Sequence, residues 1–385
     1  MPGSPGQAIQ SRRDLRFDPV ARTHLLQPKP WLRAPANRRR RFWWSGRSAG
    51  DVEKSRQTRI TLGIERRSAQ STMLTDPLSF EPLFMERVWG GRRLETEYGK
   101  KLPPAVRIGE SWEIVDRAEA QSVVHTGPLR GRTLHQLWME DRDLLFGEIG
   151  NAPRFPLFLK LLDAREKLSV QVHPPAEVAL ELGGEPKTEF WYVARADPGA
   201  QIFAGLAEQS SQPQFAAVIA EARVANQLHR IAVKPGDAIL LPSGRVHAIG
   251  AGNLIVEVQQ NSDTTYRVFD WNRLGADGPA RELHVEQSLR CIDFADIEPE
   301  LLQPEGESLV RHELFQVEKW EINGERAALS GDASFAIFCC LSGEVRCSGM
   351  SAKPGSFFIV PACLPNVPLR PAAGDTSVLR ITAGR

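Results

Sequence analysis

The sequence predicts a mostly β protein built from two sandwich units, with a small helical insertion in the first. Three observations carry this. From Met73 onward, short runs rich in β-branched and aromatic residues recur, punctuated by Gly, Pro and Asp. Stretches with a 3.6-residue apolar period are few. The passage VKPGDAILLPSGRVH (233–247) is echoed by AKPGSFFIVPACLPN (352–366). Each runs Lys-Pro-Gly, then a strand, then Pro, which is a weak internal repeat of sandwich type.

The first 72 residues are of a different material. They hold 16 Lys+Arg against 5 Asp+Glu, whereas the remainder holds 32 against 42. The leader includes ANRRRRFWWSGRSAG and sustains no period of 2 or 3.6, so it reads as a disordered extension. It has no apolar core region and no small-residue cleavage site, which excludes a secretory signal. An upstream stretch translated from a start codon set too early is the favoured reading, with Met73 as the true start. An organelle transit peptide and a nucleic-acid-binding arm are the alternatives. No nucleic-acid partner is expected.

Beyond Met73 the elements follow in order. SWEIVD (111–116), QSVVHT (121–126), LSVQVH (168–173), EFWYVAR (189–195), AILLP (238–242) and NLIVEVQQ (253–260) read as strands. RTLHQLWMEDRDLLFG (132–147) and PQFAAVIAEARVANQLHRI (213–231) read as helices, the latter with Pro213 near its start. A second β-rich stretch from about 309 to 385 contains FQVEKWEI, ASFAIFCCLSGEVRC, GSFFIVP and SVLRITA. The expected division is a leader at 1–72, a catalytic unit at 73–285 and a C-terminal unit at 286–385.

All five cysteines, Cys291, Cys339, Cys340, Cys347 and Cys363, lie in the last quarter and form no C-x-x-C. Reduced thiols in a cytoplasmic protein are expected rather than a disulfide framework. The longest apolar stretch falls far short of the roughly 18–20 residues a membrane helix needs, so no membrane partner is expected.

The chemistry begins at KLSVQVHPP (167–175). Alternation along a strand puts Gln171 and His173 on one face and Val172 on the other. Pro174 and Pro175 then end the ladder. This polar pair is either a satisfied edge or half of a metal site. Its partner is GDAILLPSGRVH, where Gly236, Pro242, Gly244 and His247 are separated by five, one and two residues. That spacing resembles the second motif of the cupin family of jelly rolls, in which a tight turn aims a histidine into the barrel mouth. The two units are therefore expected to be jelly-roll, cupin-like barrels. The second has Asn366 near the histidine position and no metal ligands. Gln171, His173, Glu189 and His247 together form a mixed N/O donor set that suits Zn²⁺, with Fe, Co, Mn and Ni as alternatives.

Over residues 76 to 275 the chain resembles the type I mannose-6-phosphate isomerases, especially the short bacterial form. The motifs that carry this are GESWEIVD, FPLFLKLLDAREKLSVQVHP, KTEFWYV, VKPGDAILLPSGRVHAIG and IVEVQQNSDTTYRVFDWNR. The resemblance implies one zinc ion per chain on Gln171, His173, Glu189 and His247. It implies mannose 6-phosphate and fructose 6-phosphate as substrates, in a monomer or weak homo-oligomer.

Aldose–ketose isomerisation moves a proton between C1 and C2 through an enediol. It needs an electrophile, a base and a phosphate clamp. Arg267 resembles the family's catalytic arginine. Glu257, Asp263 and Asp270 are candidates for the base, and the family's arrangement puts Glu257 first. Lys160, Ser169 and Lys187 occupy positions linked to phosphate or substrate binding. Lys160 also stands out by itself, because LFLKLL is an apolar run where a lone lysine is costly. No G-x-G-x-x-G or G-K-[ST] loop points to a nucleotide. Two rival readings are a cupin sensor that binds a sugar phosphate without turnover, and a metal oxygenase.

Overall fold

The computed structural model describes residues 74–275, 278–329 and 335–384. The expectations for residues 1–72 lie outside these. The first strands are β1 (Leu78–Ser79), β2 (Leu83–Gly91), β3 (Ile108–Ile114) and β4 (Leu157–Ala164). Then come β5 (Val170–Val172), β6 (Glu189–Ala196), β7 (Gln201–Leu206), β8 (Leu228–Ala232), β9 (Ala238–Leu241), β10 (His247–Ile249), β11 (Asn253–Gln260) and β12 (Tyr266–Phe269). The C-terminal strands are β13 (Ser308–Arg311), β14 (Phe315–Glu321), β15 (Arg326–Ala327), β16 (Ala336–Cys347), β17 (Met350–Ala352), β18 (Phe357–Val360) and β19 (Pro368–Ala383). The mostly β class with a few helices is as expected.

A period of two organises the central sheet, which runs β2-β3-β4-β11-β6-β9. On β4, Leu157, Leu159 and Leu161 face one way; on β11, Leu254, Val256 and Val258; on β6, Phe190, Tyr192 and Ala194. These residues join a single apolar core with Phe315, Val317, Ile337, Cys339, Ile359, Leu379 and Ile381 of the C-terminal strands. The opposite face carries Leu162, Trp191, Val193 and Ile255, which pack on Ile202, Ala204 and Ile249 of a second sheet, β12-β5-β10-β7-β8. Both faces of the central sheet are therefore buried, which is why its strands read as near-continuous apolar runs.

The outer face of the second sheet, with Val170, Val172, Phe203 and Val268, is covered by Phe215, Ile219 and Cys291 of two helices, Gln212–Ala220 and Val285–Cys291. The C-terminal strands form an eight-stranded sheet. Its first member in the chain is β1, which pairs with β18 through Leu78↔Ile359.

Two sequence expectations are corrected. The helix expected over 213–231 stops at Ala220, and Leu228–Ala232 is strand β8 paired with β7. Gln214 closes the helix start by accepting from the Ser211 amide at 2.8 Å. Ala222, at φ 54°, ends it, and strand pairing then overrides the helical period. QSVVHT (121–126) makes only isolated bridges, such as Phe80↔Val124 and Val123↔Thr133, because no neighbouring strand extends the ladder.

All five cysteines are free, and Cys339, Cys340 and Cys347 lie in the buried apolar core. Among the described residues no helix is long and apolar enough to cross a membrane.

Candidate active site and metal centre

The two facing sheets bring Gln171, His173, Glu189 and His247 together. His247 opens β10 directly opposite Gln171 on β5. Glu189 opens β6 on the other sheet. His173 Nε2 lies 3.2 Å from Glu189 Oε1, and His247 Nε2 lies 3.5 Å from Glu189 Oε2. The donor atoms of His173, Glu189 and His247 all lie within 4.8 Å of one another, and all three residues are buried.

The hydrogen bonds around the rings say which nitrogens are free to coordinate. His173 Nδ1 meets the Thr264 carbonyl at 2.9 Å, and His247 Nδ1 meets the Arg245 carbonyl at 2.8 Å. A carbonyl only accepts, so each Nδ1 carries the proton and each Nε2 presents a lone pair to the centre. His173 Nε2 and both Glu189 oxygens are buried without a hydrogen bond of good geometry. Polar atoms seldom stay so in a protein interior. This donor set fits a divalent metal ion.

Electrostatics agree. Burial drives the His173 pKa down to about 3, helped by the Lys187 ammonium, so the ring is neutral. Burial also lowers His247. It opposes ionisation of Glu189, but the Lys187 ammonium, the foremost opposing charge, outweighs it and this carboxyl stays well below its ordinary value. Lys187 Nζ sits 2.6 Å from Glu189 Oε1, although Lys187 precedes the strand. Gln171 turns its amide nitrogen to His247 Nε2 at 3.3 Å. An amide flip puts its oxygen there instead.

Beside this centre is a cavity of about 660 Å³ lined by Lys160, Ser169, Gln171, Lys187, Glu189, Glu257, Asp263 and Arg267, with Arg87, Glu110 and Arg281 completing its charged wall. Lys160 and Glu257 on its wall belong to one cross-strand row in which Trp112, Lys160, Glu257 and Trp191 stand on β3, β4, β11 and β6 in register. Trp191 Nε1 donates to Glu257 Oε2 at 2.9 Å. Lys160 Nζ lies 4.3 Å from the Phe158 ring centroid. Burial, then the charge of Glu189, push the Glu257 carboxyl up, with Lys160 offsetting part. Burial opposes the charge on Lys160, but Glu257 and Glu110 together hold its pKa above the ordinary value.

Asp270 is committed elsewhere. It accepts from Arg273 and Arg281, each within 2.9 Å. Arg267 pairs with Gln171 across β12 and β5, and its Nη1 donates to the Glu282 carbonyl at 2.7 Å.

Known proteins resemble this chain in sequence and fold. The family model of the phosphomannose isomerase type I catalytic domain matches residues 78–190. Mannose-6-phosphate isomerase ManA of Bacillus subtilis strain 168 is 40% identical over 284 residues, covering 71% of this chain and 88% of ManA. The chain belongs to the type I phosphomannose isomerase family. A second relative of the same strain, the probable mannose-6-phosphate isomerase GmuF, is 38% identical over 302 residues, or 75% of this chain and 94% of GmuF. The crystal structure of the Bacillus subtilis mannose 6-phosphate isomerase superposes with a TM-score of 0.71 at 34% identity, covering 80% of this chain and 99% of that one. In this phosphomannose isomerase the matched segment holds Gln171, His173 and Glu189, while His247, Glu257 and Arg267 lie beyond it.

Sequence reasoning passed over Glu110, Arg87 and Arg281 as residues of the phosphomannose isomerase cavity. Glu110 lay in the quoted GESWEIVD motif. Arg87 Nε donates to its Oε1 at 2.6 Å and Trp112 Nε1 to its Oε2 at 2.7 Å. Only the register of β2, β3 and β4 reveals that this pair flanks Lys160.

Proposed function

We propose that this isomerase interconverts mannose 6-phosphate and fructose 6-phosphate through an enediol, at one zinc ion held by Gln171, His173, Glu189 and His247. The observation that carries the reading is the pair of histidines, each fixed by a carbonyl at Nδ1 and presenting Nε2 to the buried Glu189. The bound ion supplies Lewis-acid polarisation of the sugar carbonyl.

The chain's own residues do the rest. Glu257, raised by burial and held by Trp191, takes the proton from C2 of the aldose and returns it to C1. Arg267 offers a permanent cation to the negative charge that develops on the enediol oxygens. Lys160, Ser169 and Lys187 hold the phosphate end. Asp270 is a poor candidate for the base, because two guanidinium groups already hold its carboxylate. Asp263 stands on the cavity wall and is the second candidate after Glu257.

In this reading the catalytic unit is 73–285, the C-terminal unit 286–385 braces the central sheet, and residues 1–72 are dispensable for chemistry. The enzyme works in the cytoplasm.

The deciding experiment is turnover of mannose 6-phosphate by protein begun at Met73, before and after chelation, with Arg267→Ala beside it. Loss with chelator, return with Zn²⁺ and loss in the variant support the whole reading. A folded, metal-loaded protein that binds the sugar phosphate without turnover establishes the sensor reading instead.

A further inference from the structure

Three guanidinium groups gather at the end of β12 around one buried carboxylate. Asp270 is 6% exposed in its side chain, and it accepts from Arg273 Nε and Nη2 and from Arg281 Nε and Nη2. Arg267, three residues before Asp270, has no carboxylate partner within ion-pair distance among the described residues. Its Nη1 donates to a backbone carbonyl, and its Nε is buried without a hydrogen bond. The exposed Glu282 offsets little of this charge. Burial, then the nearby Arg281, lower the Arg267 pKa, which marks the two cations as neighbours that repel.

Arg267, Arg281 and Ser169, the residue before β5, all line the active-site cavity; Arg273 does not. The loop is fixed in this shape. Trp271 Nε1 donates to the Leu168 carbonyl and Arg273 Nη1 to the Lys167 carbonyl, each at 2.5 Å. The other cations of the cavity each face one carboxylate: Lys160 faces Glu257, Lys187 faces Glu189 and Arg87 faces Glu110. Asp270 takes up the Nε and Nη2 of Arg281 and leaves its Nη1 without a hydrogen bond among the described residues.

We infer that Arg281, held in place by Asp270, is a phosphate-binding and specificity-determining residue that joins Ser169 on the dianionic end of the substrate, beside Arg267. This rests on the isomerase reading for the identity of the sugar but not for the anion. Two half-buried cations of which only one is paired with a carboxylate are costly side by side, and a phosphate dianion converts that cost into charge-assisted hydrogen bonds.

The test uses the full, metal-loaded chain with Arg281→Ala, Arg281→Lys and Arg273→Ala. Two quantities are read: the dissociation constant of inorganic phosphate by calorimetry, and kcat/KM on mannose 6-phosphate relative to unphosphorylated mannose. Arg281→Ala is expected to weaken inorganic phosphate by about 10-fold or more, as for a lost hydrogen bond to a charged group. It should lower the preference for the phosphorylated sugar by a similar factor, mostly through KM. Arg281→Lys should fall between, since an ammonium cannot keep the fork to Asp270. Arg273→Ala, which shares Asp270 but not the cavity, should stay within about threefold of the wild type.

Equal losses in Arg281→Ala and Arg273→Ala would reduce Arg281 to a loop support and overturn the inference. So would an unchanged phosphate constant. If the wild type turns over neither sugar yet binds phosphate through Arg281, the anion site stands and the isomerase reading falls.

Discussion

Lys160 and Glu257 stand directly opposite each other on β4 and β11, with Nζ 3.3 Å from Oε1 and each side chain 5% exposed. Tryptophans flank the pair on both sides of the row. Removing one partner leaves the other charge buried. Lys160→Met should therefore destabilise the fold by about 3–5 kcal/mol. The double variant Lys160→Met with Glu257→Gln should recover most of that stability and none of the turnover. Denaturant unfolding of the two variants and the wild type beside their rates checks this; a double variant no more stable than Lys160→Met would refute the coupling.

The metal centre makes a compositional prediction. His173→Ala and His247→Ala should each lower bound metal from about one ion per chain to well below half, because a catalytic site built on three or four ligands tolerates little loss. Elemental analysis after dialysis measures it. Retention of a full ion in both variants would place the metal elsewhere.

Asp270 predicts a pH dependence. Burial alone would raise its carboxyl, but hydrogen bonds from Arg281 and Arg273 outweigh burial and hold it below its ordinary value of 3.8. The folded value is the lower one, so the unfolded chain binds more protons in between. The stabilisation is thus complete above that ordinary value and is lost as pH falls through the folded value. Asp270→Asn should cost about 3 kcal/mol at pH 7, and the gap to wild type should narrow steadily below about pH 4. A gap that widens in acid contradicts the assignment.

Gly90 predicts a packing failure next to the site. A Cβ there would stand 2.4 Å from the Gly109 backbone nitrogen and 2.6 Å from the Ile108 carbonyl carbon. Gly90→Ala should force β2 away from β3 at a cost of about 1–3 kcal/mol, and it should loosen Arg87 and Trp89 on the cavity wall. Thermal unfolding reads the first effect and a raised KM the second; an unchanged melting temperature would show that the strands separate freely.

Much of the site was legible because strands repeat every two residues. Gln171 and His173 share a face, as do Glu257 and Gln259, and that parity survives without knowledge of the fold. Lys160 announced itself by its cost within LFLKLL. What stayed hidden depended on register and return paths. Glu110 matters through the alignment of β3 on β4, and Arg281 through a loop that folds back on Asp270. Leu228–Ala232 carries a helical period that pairing with β7 overrules. Nothing local in Leu78–Ser79 names a partner near the other end of the chain.

That last pairing has a kinetic consequence. Leu78 and Ile359 are roughly 280 residues apart in sequence, and closing so long a loop is entropically slow to repay. The apolar back of the central sheet finds its cover only in strands that leave the ribosome last. A nascent chain therefore holds the complete strands that carry Gln171, Glu189 and His247 over an uncovered greasy surface. It should depend on chaperones until synthesis ends, and C-terminal truncations should appear as insoluble protein rather than as inactive enzyme.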